Sequence, residues 1–165
     1  MDDTTRRYDA SSPSYDARYR DLQMEKYAFA LPSPGDVRGP VLDVGCGTGL
    51  LGEYLTATVC GIDPSAGMLS YARGRVIPVI GDACALPFPD DTFPLTVSFT
   101  VLQNITDYET ALNEMARVTH KDGRIVISYL SKSQFSPIGD AIARIFSVEE
   151  SSPHSEDVFF SCRLR

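Results

Sequence analysis

Three aspartates and a run of glycines carry most of the chemistry that this 165-residue sequence can perform. Val41-Leu42-Asp43-Val44-Gly45-Cys46-Gly47-Thr48-Gly49 reads as a short apolar strand entering a glycine-rich turn and then a helix. Glycines at 45, 47 and 49 permit backbone conformations, and a close ligand approach, that a β-carbon would obstruct. Asp43, an acid inside the strand end, is the informative residue. Beside a pyrophosphate it would repel the ligand, whereas a cationic ligand is drawn to it. A strict GxGxxG does occur at Gly47, Gly49 and Gly52, but out of phase. Gly45 follows the strand directly, and Leu50 then stands where the third glycine belongs. Dinucleotide chemistry is therefore disfavoured.

Asp63 closes a second β-branched run, Cys60-Gly61-Ile62-Asp63. A carboxylate there accepts hydrogen bonds from both hydroxyls of a ribose, which points to an adenosine-containing ligand. Its other reading, the N-cap of the next helix, is already filled by Ser65. Asp82, in Gly81-Asp82-Ala83, has two readings: an acceptor for the exocyclic amine of adenine, or a turn residue.

Positioning these acids requires alternating strands and helices. Strands are expected at 41–44, 59–62, 76–80, 95–99 and 124–129, apolar without strict alternation, as in a parallel sheet covered on both faces. Ser65 and Asp107 are expected N-caps, and Pro137 a first-turn residue of a helix striped by Ile138, Ala141, Ile142, Ile145 and Phe146. Residues 149–156 read as a polar surface loop holding His154, and Val158 to Leu164 as one last strand. Residues 1–14 read as a loose arm, followed by a helix from Tyr15 through Tyr19 and Leu22 towards Leu31, stopped by Pro32 and Pro34. The expected organisation is 1–36 as arm and lid helix, and 37–165 as one domain in an open, doubly wound α/β sheet.

Fifteen basic against 22 acidic residues give a net charge of −7, with no basic block, so nucleic acid is not an expected partner. No window approaches the ~20 apolar residues that cross a bilayer. Four cysteines without a CxxC pair read as reduced and structural, in a cytoplasmic protein.

The glycine turn, then Gly61-Ile62-Asp63-Pro64-Ser65-Ala66-Gly67-Met68-Leu69, Gly81-Asp82-Ala83 and Leu86-Pro87-Phe88-Pro89-Asp90-Asp91-Thr92-Phe93 closely resemble the class I S-adenosylmethionine-dependent methyltransferases, in the small-molecule branch called type 11. The likeness continues through Glu114-Met115-Ala116-Arg117-Val118 and Asp122-Gly123-Arg124-Ile125-Val126-Ile127, over roughly residues 37 to 130. It implies a Rossmann-like fold and transfer of a methyl group from S-adenosyl-L-methionine to a small-molecule acceptor by in-line displacement, leaving S-adenosyl-L-homocysteine. It also implies roles. Asp43 and the backbone of Gly45 and Gly47 would face the methionine portion, Asp63 the ribose, Met68 the adenine face, and Asp82 with Ala83 the adenine edge. Thr100 would lie beside the methionine ammonium, with Cys46 and Pro64 completing the cofactor set. Met68 and Thr100 have plainer readings, as core packing and strand termination.

Where many relatives show a histidine pair after the fourth strand, the matching positions are Gln103 and Asn104, neutral amides that orient an acceptor but are not bases. Tyr15, Tyr19 and Tyr129 are further candidates for the acceptor rim, and no catalytic base or metal site is assigned. His120 is expected to bond helix carbonyls. Relatives generally add two antiparallel strands after the last helix. With only one expected here, the sheet should be shortened, or its last strand should pair with a partner chain in a homodimer. A methyltransferase-like binding module without catalysis is the alternative reading.

Overall fold

The computed structural model describes residues 3–132 and 136–165, with side chains from Asp16 onward. Its centre is a seven-stranded sheet: β1 (Val41–Val44), β2 (Val59–Asp63), β3 (Ile77–Ile80), β4 (Phe93–Phe99), β5 (Thr119–Leu130), β6 (Phe146–His154) and β7 (Asp157–Leu164). The strand order is β3-β2-β1-β4-β5-β7-β6. β1 to β5 run parallel, while β7 is antiparallel to both β5 and β6. The helices are α1 (Asp3–Ala30), α2 (Leu51–Tyr54), α3 (Ala66–Ala72), α4 (Tyr108–Val118) and α5 (Ser136–Ile145). The doubly wound, mostly parallel sheet is as expected.

Strand residues separate onto two cores because successive side chains point to opposite faces. Leu42, Val44, Ile125 and Ile127 pack with α4 and α5, through Leu112, Met115 and Ile142. Val41, Val97, Phe99, Val126 and Phe159 pack on the other face, with Tyr27 of α1 and Leu69 of α3. Alternation from these neighbours puts Asp43, Ser128 and Asp157 on the face that α1 covers. The helix caps form as read: Ser65 Oγ accepts from Met68 N at 3.0 Å, and Asp107 Oδ1 from Thr110 N at 3.1 Å.

Three expectations about the chain ends and one about a histidine are corrected. The segment read as a polar loop is the edge strand β6, so two antiparallel strands follow α5 and the sheet is not shortened. Glu149, Glu150, Ser151, Ser152 and Pro153 disguise it, since edge strands carry charges and proline that discourage further pairing. β7 is hydrogen-bonded on both sides, to β5 and β6, and so has no open edge for a partner chain. α1 begins at Asp3, taking in most of the segment expected as a loose arm. His120 lies in β5 rather than on helix carbonyls, and its Nδ1 accepts from Asp122 N at 3.2 Å.

Pro94 replaces a ladder donor inside β4, and the pairing with β5 shifts register there, from Phe93↔Thr119 to Leu95↔Arg124. No described helix is long and apolar enough to cross a membrane.

Candidate functional site

The strand order reverses between β1 and β4, and the glycine turn sits at that switch point. Gly45 has φ +79°, and a β-carbon there would lie 2.3 Å from Val101 Cγ2, so only glycine lets the two strand ends approach. Gly47, at φ +54°, faces open space. Gly49 and Gly52 instead pack against Ala72 and the Arg75 carbonyl, which explains the out-of-phase GxGxxG as a packing device.

The turn's amides are already engaged. Gly45 N and Cys46 N donate to Ile62 O at 2.8 and 3.1 Å, and Gly47 N donates to Asp63 Oδ2 at 3.0 Å. A phosphate needs unsatisfied N–H donors, whereas this turn offers a ligand carboxylates. Asp43 is 4 % exposed, and no ion pair among the described residues reaches it. Burial first, and the Asp63 carboxylate second, push its pKa up to about 7. A buried acid that no such ion pair reaches, with a second carboxylate beside it, suits a positively charged ligand.

α1 roofs this turn. Gln23 and Tyr27 join Asp43, Gly45, Gly47 and Phe99 around a cavity of about 30 Å³, room for a water or two. A larger hollow of about 600 Å³ lies at the opposite, amino end of β1 and β2, beside Arg38 and Thr56. It is remote from the acids, so the chemistry assigns the crevice to the smaller one. The helix is tied down by polar contacts: Asp16 accepts from Thr48 Oγ1 at 2.5 Å and from Arg75 Nη1 at 2.6 Å. Glu53 pairs with Arg75 Nε at 2.6 Å and with Arg20.

The other expected residues fall into place unevenly. Asp63 Oδ1 accepts from Ser65 N at 2.8 Å, so the carboxylate is held by backbone amides at the carboxyl end of β2. Asp82 is exposed and accepts from Cys84 N at 2.9 Å, closing its own turn beside Ala83. Pro64 is exposed next to Asp63, whereas Met68 is 1 % exposed. The Cys46 side chain packs towards Gly61, its Sγ donates to Gly47 O at 3.8 Å, and burial raises its pKa. Gln103 Nε2 donates to Thr100 O at 2.6 Å, and Asn104 is exposed. Tyr19 is half-buried on α1; the Tyr15 side chain lies outside the described residues. Tyr129 is corrected from rim to core, since it stacks on Phe160 at 5.8 Å and its hydroxyl abuts Gly139 of α5.

Sequence reasoning missed Lys26 and Asp157. Thr100, at φ +60°, donates through Oγ1 to Asp157 Oδ2 at 2.7 Å and accepts from Lys26 Nζ at 2.7 Å. Lys26 Nζ also lies 3.0 Å from Asp157 Oδ2, with both side chains buried. His154, expected on the surface, stacks on Phe29 at 4.0 Å and meets Glu25 Oε1 at 3.0 Å. No hydrophobic period signals such polar contacts.

A parallel sheet reversing at a glycine turn with acids at its carboxyl ends defines the class I methyltransferase architecture that the motifs resemble. Residues 42–127 match the family model described as a methyltransferase domain, and the chain belongs to that family. It is 37 % identical over 152 residues to a demethylmenaquinone methyltransferase of Mycobacterium sp. (strain JLS), covering 88 % of this chain and 63 % of that protein. It is 36 % identical over 107 residues to a malonyl-[acyl-carrier protein] O-methyltransferase of Yersinia pestis, covering 61 % of this chain and 40 % of that one. The chain thus spans less than two thirds of these relatives. In fold it is similar to a SAM-dependent methyltransferase, possible histamine N-methyltransferase, from Thermotoga maritima, with TM-score 0.75, 18 % identity, and 96 % and 98 % of the two chains covered.

Proposed function

We propose that the chain binds S-adenosyl-L-methionine between α1 and the glycine turn and transfers its methyl group to a small-molecule acceptor. The observation that carries this is the buried, cation-free Asp43 beside Asp63, under a turn whose amides are engaged. Asp43 takes the methionine end, Asp63 the ribose hydroxyls, and Asp82 with Ala83 the adenine edge. Gly47 leaves the space that close approach needs. The buried Met68 backs the adenine site rather than lining it openly, and Gln103 holds the Thr100 carbonyl in place. Residues 1–36 serve as arm and lid, and 37–165 as the catalytic domain.

When bound, the cofactor supplies a methyl group on positively charged sulfur, which the acceptor's lone pair displaces in line. The protein's part is to hold the acceptor at ~3 to 3.5 Å and keep water out. A cavity of about 30 Å³ is far below the ~300 Å³ of small-molecule sites, so α1 shifts outward to admit the ligand and closes over it. The names of the relatives support a small metabolite or a carrier-bound acid as acceptor. Free thiols at all four cysteines support a reducing, cytoplasmic setting.

Calorimetry with S-adenosyl-L-methionine tests binding, and release of S-adenosyl-L-homocysteine across a metabolite panel tests transfer. Saturable binding with turnover of a panel member is the expected result. Absence of binding overturns the proposal.

A further inference from the structure

Beyond the cofactor cradle, on the same face of the sheet, Lys26 of α1 meets Asp157 of β7 where β4 and β5 end. Three donors converge on one oxygen: Lys26 Nζ at 3.0 Å, and Thr100 Oγ1 and Ser128 Oγ at 2.7 Å each reach Asp157 Oδ2. Asp157 Oδ1 is buried and has no hydrogen-bond partner. Gln103 Oε1, whose own amide holds the Thr100 carbonyl, is a second buried acceptor without a donor.

A buried carboxylate oxygen left unbonded costs free energy, so its retention calls for an explanation. Lys26 has three N–H donors, of which Thr100 and Asp157 take two. The pair therefore has one acceptor site and one N–H to offer. A hydroxyl, which donates once and accepts at its lone pairs, fits both.

Resting on the methyltransferase reading above, we propose that Lys26 and Asp157 recognise an acidic hydroxyl of the methyl acceptor, phenolic or enolic, and that Asp157 Oδ1 takes its proton. The acceptor's O–H bond breaks, with the proton passing to Asp157. The oxygen's electron pair forms the bond to the methyl carbon. The sulfur–methyl bond breaks and its pair stays on sulfur, which becomes neutral. Lys26 stabilises the oxygen as negative charge develops, and because it rides on α1 it completes this site only when the helix closes.

The probe is 4-nitrophenol, whose phenolate is visible by absorbance, titrated into the full chain saturated with S-adenosyl-L-homocysteine. Wild-type protein is expected to bind it saturably and to shift its ionisation midpoint. In the Lys26→Met/Asp157→Asn double variant, which removes both charges and so leaves neither buried alone, affinity should fall about tenfold or more and the shift should vanish. Calorimetric affinity for S-adenosyl-L-homocysteine should stay within about twofold of wild type, because neither side chain lines the cavity at the glycine turn. Unchanged probe affinity and ionisation in the variant would overturn the proposal, as would a wild-type protein that binds the homocysteine product but not the phenol. The wild-type arm stands even if the variant fails to fold. Failure of wild-type protein to bind S-adenosyl-L-homocysteine sinks the cofactor assignment instead, so the two failures are told apart.

Discussion

The amide of Gly47 donates to Asp63 Oδ2 at 3.0 Å, joining the turn after β1 to the carboxyl end of β2. One carboxylate thus shapes the turn and faces the crevice, so its removal has two effects.

Asp63→Ala should weaken cofactor binding by ~1 to 3 kcal/mol, the scale of hydrogen bonds lost at a charged acceptor. It should also lower the melting temperature, because Gly47 N and Ser65 N both lose their acceptor. Calorimetry paired with thermal unfolding separates the two. Wild-type affinity in the variant would remove the ribose assignment.

Cofactor affinity should depend on pH through Asp43, whose pKa stands at about 7 through burial and the nearby Asp63. A cationic ligand favours the ionised carboxylate. Binding below pH 7 should therefore release a proton, and affinity should climb as pH rises towards 7 and then level off. Folding responds with the opposite sign. A raised carboxyl pKa means the native state holds a proton the unfolded chain has given up, so this contribution is full below about 4 and is lost as pH rises to about 7. Calorimetry in buffers of different ionisation enthalpy counts the proton, and Asp43→Asn should abolish the pH dependence of binding.

Gly47→Val should eliminate cofactor binding while circular dichroism stays native. The site has room for a side chain, which would project into the crevice, and φ +54° adds ~1 to 2 kcal/mol of strain for a residue with a β-carbon. Normal binding by this variant would show that the ligand lies elsewhere.

Arg75→Ala should loosen α1. Arg75 reaches Asp16 of α1 and the Thr48 carbonyl through Nη1, and Glu53, which pairs with Arg20 of α1, through Nε, so truncation cuts one direct tie to the helix and loosens the residue that makes another. Each is partly exposed and worth little alone. Faster limited proteolysis within α1 and a higher cofactor association rate are the expected results. Unaltered rates would mean the helix is held by other contacts.

The parallel strands were legible because their apolar runs sit beside turn and cap residues with single physical meanings: Gly45, Asp63, Ser65 and Asp107. β6 was not. Its pairing with β7 relies on backbone bonds, while Glu149 and Pro153 are edge chemistry that reads as loop. Asp43 and Asp63 announced the crevice because acids at strand ends are chemically odd. Lys26 and Asp157 gave no such signal, being 131 residues apart and each an ordinary surface type until the fold buries them together. Tyr129 misled for the converse reason: a polar-tipped residue at a strand end, it alternates onto the α5 face, away from Ser128.

Beside apolar contacts of Met24, Tyr27 and Phe29, the described side chains of α1 dock through Asp16 and Lys26, in ion pairs and hydrogen bonds. Contacts of that kind can be traded for water or ligand at little net cost, unlike an oily seam. In hydrogen exchange, α1 should therefore surrender its amide protons well before β1, β4 and β5 do, and hold them longer once a nucleoside thioether fills the groove beneath.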